Sequence, residues 1–300
     1  MLLSIITLIV LLSILSMKKS RPDGFPLTSL HPYRKLMFYI MPRRTESQVY
    51  FKRHIVAQPM FDYLAAQPQE TGANITHLLL AALGKTLEEH PEMNRFVSGR
   101  NLYQRTGVWI TFSMKRQKLE KKAAIAMVKM RYQSSHSFHN FCKHVNEEIL
   151  IQRSGTKTYA DKEFDFFTRL PRPLLNLGVK LFTLVDYYNF LPKSFIENDG
   201  LYASVVLANL GSLKMDPGYH HLYEWGNCPI FITAGQIQDV PLVQDGAVES
   251  QKVLPLRLTY DERIGDGLSA KVAIDRLIEI LENPQAHLEP THQSIEKTDV

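Results

Sequence analysis

Residues 254–267 read LPLRLTYDERIGDG, apolar residues alternating with polar ones and then a knot of charges closed by glycine. The alternation reads as a strand, and the charged knot as the turn that leaves it. A helical stretch follows through about Leu281 and stops at Glu282-Asn283-Pro284. Two further strand candidates lie upstream, ASVVLANL at 203–210 and CPIFITAGQI at 228–237, and the strand ahead of the charged knot begins at about 252.

Working outward, QVYFKRHIVA from Gln48 reads as a strand that opens the globular body. From Asn74, a plausible helix cap, ITHLLLAALGKTLEEH carries apolar residues at helical spacing and stops before Pro91. VWITFSM at 108–114 and KKAAIAMVKM at 121–130 read as strands, and residues 137–153 as a helix. Residues 171–192 are strongly apolar, but Arg172, Lys180 and Asp186 favour a buried or interface helix over a membrane span.

The chain has 300 residues, 45% hydrophobic and 22% charged, which suits a packed body and excludes a disordered or collagen-like one. Two cysteines, Cys142 and Cys228, cannot build a disulfide framework or a cysteine zinc site, and point to a reducing compartment. The net charge of +5 is uneven: residues 1–53 hold nine Lys or Arg against two acids, a balance of +7, which leaves −2 for the rest. A near-neutral body gives no reason to expect nucleic acid.

The basic excess follows residues 2–17, LLSIITLIVLLSILSM, an uncharged run that makes a helix of about 24 Å, just short of a hydrocarbon core of roughly 30 Å. With Lys18 and Lys19 free to snorkel, a single membrane span is the reading preferred. A cleaved signal peptide fits less well, since no basic residue precedes the run and no small-x-small site follows it; a surface-lying or buried helix is the remaining alternative. The basic flank would put the following domain in the cytoplasm, with the arm against anionic lipid. Residues 18–47 read as an irregular polybasic arm broken by prolines, 48–284 as the body and 285–300 as a polar tail.

No Gly-rich phosphate loop, metalloprotease helix or nucleophile elbow is present. His136, His139 and His144 lack a third ligand at a zinc-like spacing, so no metal is expected. The ordered set ASVVLANLGSL, LPLRLTYDERIGDG, PEMNRF at 91–96 and RRTESQVYF at 43–51 resembles the catalytic domain of the acyltransferase subunit of 2-oxoacid dehydrogenase complexes, over about 40–284. The resemblance implies an α/β fold of the chloramphenicol acetyltransferase kind, a mixed sheet flanked by helices, with the N-terminal hydrophobic helix added. It also implies a homotrimer with active sites between subunits, coenzyme A or acyl-CoA as co-substrate, and no metal. No lipoyl-carrying or peripheral-subunit-binding segment accompanies it, so a place in a dehydrogenase core is not expected.

In that family a histidine in Asp-His-Arg-x-x-Asp-Gly removes the thiol proton and a serine hydroxyl in Ser-Asn-Leu-Gly stabilises the oxyanion. Here Glu262 stands at the histidine and Ala208 at the serine. Asp261, Arg263, Asp266 and Gly267 keep the first frame, where Arg263 and Asp266 are candidates to pair; Asn209, Leu210 and Gly211 keep the second. A general base contributes about 10²–10⁴-fold and an oxyanion donor about 10²–10³-fold, so the family reaction should be lost or altered. Replacement bases are Glu262, if burial raises its pKa, and His220 or His221 in DPGYHHLYEWG; the alternatives are a salt-bridged Glu262 and hydrogen-bonded turn histidines. Ser212 is the nearest substitute hydroxyl, and Asn209, Gly211 and Ser212 are candidates to line the coenzyme channel. A non-catalytic trimeric scaffold or acyl-CoA-binding module is the competing reading.

Overall fold

The computed structural model describes residues 2–115, 125–154, 167–244 and 246–289. Its centre is a mixed sheet in which β2 (Gln48–Val56), β10 (Ala247–Asp261), β8 (Ile230–Ala234), β7 (Val205–Asn209), β5 (Val108–Lys115) and β6 (Ile125–Tyr132) lie side by side, with β9 (Gln238–Gln244) paired to β10. β7 runs parallel to both β5 and β8, and the remaining pairs are antiparallel. Of the strand expected at 121–130, residues 121–124 lie outside the described residues. Alternation along β10 puts Leu254, Leu256, Leu258 and Tyr260 into the core and turns Arg257, Thr259 and Asp261 to the other face.

The core face is covered by α3 (Gln58–Ala66), α4 (Ile75–Glu89), α5 (Phe138–Arg153) and α8 (Gly267–Glu282), the last numbered after α6 (Arg172–Tyr187) and α7 (Lys193–Asn198). α4 begins as its sequence suggests: Asn74 accepts a hydrogen bond from the Thr76 amide at 2.9 Å. Past Pro284, residues Pro284–Leu288 form α9, and Tyr63 donates to Glu289 at 2.8 Å, so this part of the expected tail packs back on α3. Residues 290–300 lie outside the described residues.

The N-terminal region departs from its reading in two respects. α1 (Leu2–Met17) is a helix with Ile5, Leu8, Ile9 and Ile14 exposed, but no helix among the described residues is long and apolar enough to cross a membrane. α1 coincides with the 2–17 run, and its 16 residues are fewer than the ~20 that a membrane span needs. The arm, for its part, is partly built into the body. β1 (Gly24–Pro26) pairs with β4 (Asn101–Arg105), which in turn pairs with β3 (Arg95–Ser98). α2 (Pro32–Ile40) forms despite Pro32, because a proline in the first turn forfeits no helical hydrogen bond.

Arg21 and Arg44, both counted in the basic excess, are buried and so cannot face lipid. Arg21 donates to Asp23 at 3.0 Å, Ser98 at 2.7 Å, Asp186 at 2.9 Å and Asn189 at 2.9 Å. Asp23 also accepts from Asn227 at 2.6 Å, and Arg105 lies 3.6 Å from it. Burial by itself would raise the Asp23 pKa, but the two guanidiniums and the Arg21 and Asn227 hydrogen bonds hold it below the ordinary carboxylate value.

α6 contributes no fully buried residue. Phe182 packs inward on Trp225 and Phe195, with ring centroids 4.5 Å away in each case, while Leu174, Leu177, Leu181 and Leu184 stay exposed. The buried alternative for this helix is thus replaced by a surface helix with an apolar outer stripe.

Candidate active site

The turn after β10 is organised by a buried ion pair. Arg263 donates from Nε to Asp261 Oδ1 at 2.8 Å and from Nη2 to Oδ2 at 2.7 Å, and its amide adds a third bond at 3.0 Å. Ser47 donates its hydroxyl to the same carboxylate at 2.9 Å, and Arg263 Nη1 reaches the Met41 carbonyl at 2.9 Å. The expected partner of Arg263, Asp266, is instead the cap of α8: its Oδ1 accepts from the Ser269 amide at 2.8 Å and hydroxyl at 2.9 Å, which lowers its pKa. A cap needs the carboxylate turned along the helix axis, away from Arg263.

Glu262 is half-buried, and its amide donates to the Ser47 carbonyl at 2.9 Å. Its carboxylate makes no hydrogen bond or ion pair among the described residues, so the salt-bridged alternative is not observed. Among the described residues, no partner fixes the orientation that a general base needs.

Ala208 lies on the open face of the sheet, clustered with Val206, Leu222 and Phe231. One chain does not bring it to Glu262. Ala208 is level with Thr233 and Thr233 with Arg257, whereas Asp261 lies four residues further on, or ~13 Å along the strand and ~10 Å across two strand spacings. The turn beyond Ala208 is closed on itself. Asn209 donates to the Thr76 hydroxyl at 2.9 Å, and Ser212 donates back to the Asn209 carbonyl at 2.9 Å, so its hydroxyl does not take the place of the missing serine. Gly211 has its Cα against the Gly235 backbone, where an added Cβ would meet the Gly235 oxygen at 2.5 Å.

Residues 216–227 cross the open face and carry the histidine pair. Thr233 donates to the Gly218 carbonyl at 2.5 Å, and the Leu222 amide to Gln48 Oε1 at 2.8 Å. Arg44, buried beneath, donates to the carbonyls of Tyr223 at 2.9 Å and Glu224 at 3.1 Å; desolvation lowers its pKa. The segment RRTESQ therefore ties the histidine strap, through Gln48, to the Asp261 turn, through Ser47.

His220 lies flat on Phe231, ring centroids 3.8 Å apart and planes 7° from parallel. Its Nδ1 is 2.6 Å from the His221 carbonyl. A carbonyl only accepts, so Nδ1 carries the proton and Nε2 keeps the lone pair. Desolvation lowers the pKa of this ring, outweighing the carbonyl bond, and keeps the imidazole neutral at pH 7. His221 is exposed, and its Nδ1 meets the Leu222 carbonyl at 3.0 Å. Elsewhere, His139 meets the Thr71 hydroxyl at 3.0 Å, and among the described residues no group of three or more His, Cys, Asp or Glu is set to hold a metal.

Comparison with known proteins agrees with this architecture. Residues 203–289 match the family model of the 2-oxoacid dehydrogenases acyltransferase (catalytic domain), the stretch that runs from β7 through α8 and α9. No curated protein matches the sequence. Among solved structures, a probable dihydrolipoamide acetyltransferase from Listeria monocytogenes 4b F2365 aligns with TM-score 0.58 at 14% identity, over 92% of this chain and 98% of that one. The dihydrolipoamide acetyltransferase of Azotobacter vinelandii, in whose catalytic mechanism a serine, a histidine and an asparagine have been examined, aligns with TM-score 0.56 at 17% identity, over 87% and 93%. A chloramphenicol acetyltransferase aligns with TM-score 0.50 at 13% identity, over 84% and 96%. The fold is that of the chloramphenicol acetyltransferase-like acyltransferases. Within it, residues 203–289 carry the sequence pattern of the 2-oxoacid dehydrogenase acyltransferase catalytic domain.

Proposed function

We propose that this protein is a coenzyme A-linked acyltransferase in which the proton acceptor is His220 rather than Glu262. The observation that carries the reading is the His220 Nδ1 contact with the His221 carbonyl, which leaves Nε2 as a neutral, oriented base on the same sheet face as Ala208. In the reaction, Nε2 takes the proton of an acceptor hydroxyl, thiol or amine as that atom bonds to the thioester carbonyl. Collapse of the tetrahedral adduct breaks the carbon–sulfur bond, and the proton returns to the departing thiolate. Among the described residues Ser212 does not replace the hydroxyl missing at Ala208, so the oxyanion is left to backbone amides or the partner subunit, and a slow enzyme is expected.

The separation of Ala208 from Glu262 within one chain, together with a likeness to the cubic core of the pyruvate dehydrogenase multienzyme complex (TM-score 0.57 at 15% identity, over 87% of this chain and 94% of that one), supports a homotrimer with its sites between copies. Light scattering should give about three times 34.5 kDa; a monomer at micromolar concentration would contradict this. Membrane attachment through α1, with the body on the cytoplasmic side, is supported by its exposed apolar surface and by Lys18 and Lys19 directly after it.

Thiol release from acyl-CoA, measured with a coenzyme A titration, tests the enzyme reading. A competing scaffold or acyl-CoA-binding role is favoured by the two missing catalytic groups. It predicts intact trimers with no turnover in the native protein or in any variant, the double substitution Ala208→Ser, Glu262→His included, whereas recovery in that double substitution would mark a decayed acetyltransferase.

A further inference from the structure

A cavity of about 220 Å³ opens between the residues that follow α1, the helix α2 and the β3–β4 hairpin. That is several times the ~30 Å³ a water occupies in the liquid. Three cations line it, Lys19, Lys35 and Arg100, and no acidic residue does. Neither lysine pairs with a carboxylate among the described residues. Like charges converging on one cavity repel, and the arrangement is relieved by an anion placed between them.

Arg100 is aimed by its surroundings. It follows Gly99 at the tip of the hairpin, both residues with positive φ, 53° and 61°. Left-handed backbone is strained for an arginine. Its Nη1 donates to the Phe38 carbonyl at 2.9 Å, and its guanidinium carbon lies 4.9 Å from the centre of the Tyr39 ring. The remaining N–H groups form the planar fork that suits a phosphate. The cavity also includes Phe38 and Leu102, both buried, which suit a short apolar stem next to the charge.

We propose that this cavity is a binding site for a phosphate ester. The ester is either the headgroup of an anionic lipid, since Lys19 lies two residues past the end of α1, or a soluble phosphate such as coenzyme A. The lipid source rests on the membrane attachment proposed above; the site itself does not.

The full chain is titrated with glycerol 3-phosphate and with coenzyme A. It is also floated with vesicles of phosphatidylcholine alone and of phosphatidylcholine with phosphatidic acid. Glycerol 3-phosphate should bind saturably, and Arg100→Asn and Lys35→Gln should each weaken it about fivefold, the worth of one cation near a phosphate surface. Asparagine tolerates the left-handed backbone, so the fold is kept, and a thermal melt checks it. Lys271→Gln, on α8, should change nothing. Loss of the phosphatidic acid preference in Arg100→Asn, with neutral vesicles bound as before, identifies a lipid headgroup as the source. Coenzyme A competing with glycerol 3-phosphate while vesicles show no preference identifies the soluble ester. If no vesicle binds at all, membrane attachment fails while glycerol 3-phosphate still judges the cavity. The proposal is overturned if no phosphate ester binds saturably, if the two cavity variants bind as the native chain does, or if Lys271→Gln weakens binding equally.

Discussion

Arg263 grips Asp261 through two parallel hydrogen bonds of 2.8 and 2.7 Å, with both side chains almost wholly removed from solvent. Because Ser47 also donates to Asp261 and the Glu262 amide bonds Ser47, this pair sets the path of the whole turn. Asp261→Asn keeps the shape but leaves a buried guanidinium without its countercharge. It should cost about 3–5 kcal/mol in urea unfolding, the range for breaking one side of a buried pair. A cost below about 1 kcal/mol, as for an exposed pair, would contradict the structural role.

Gly211 tests the turn beyond Ala208. In Gly211→Ala the new methyl meets backbone, the Gly235 oxygen, rather than a yielding side chain. The substitution should destabilise by about 1–3 kcal/mol, as overpacking does. It should also disturb His220, since Gly235 packs on Pro217 at the start of the histidine strap.

His77, buried on α4, makes folding pH-dependent. Asn146 donates through Nδ2 to the Thr71 carbonyl, so its Oδ1 faces His77 Nε2 at 3.1 Å, and Nε2 carries the proton. The other nitrogen is buried without a partner among the described residues, and desolvation lowers the pKa. A depressed folded pKa means that the unfolded chain binds the proton first. The contribution is therefore fully present above the unfolded value of 6.5 and is lost as pH falls through the lower folded value. Denaturant midpoints measured from pH 7.5 downward, about one per half unit, should fall below pH 6.5 and flatten in His77→Gln.

The elements legible in the sequence are those set by local pattern. The alternation of 252–260 is the core half of β10, and the apolar spacing after Asn74 is α4 with its cap in place. Contacts between distant residues left no such signal. Arg21 counts as one more positive charge in an arm, yet its partners Ser98, Asp186 and Asn189 are 77, 165 and 168 residues away. β3 and β4 are four and five residues long, too short for periodicity to mark. In the site, Arg263 has acids on both sides, and only the demand of the α8 N-terminus for Asp266 decides between them. The histidine pair is visible as a pair, but its orientation depends on Phe231, eleven residues beyond His220.

Removing residues 1–17 tests α1 as the attachment. Lys18, whose carbonyl accepts from Asn189 at 2.8 Å, and the Arg21 cluster beyond it are retained. The truncated chain should therefore melt within ~2 °C of the full one, less than the shift given by a 1 kcal/mol loss. It should also move from the membrane pellet to the supernatant. Retention in the pellet at high salt would shift the attachment to the exposed leucines of α6.

The most direct test of the central assignment is the rate of thiol release from acetyl-CoA by the native trimer, set beside His220→Ala and Glu262→Gln. With His220 as the base, His220→Ala should fall about 10²–10⁴-fold while Glu262→Gln stays within about threefold of native. The native rate should hold at pH 7 and drop only below pH 6.5, because desolvation keeps His220 neutral above it. A native activity abolished by Glu262→Gln and untouched by His220→Ala, or no thiol release from any variant, would contradict the assignment.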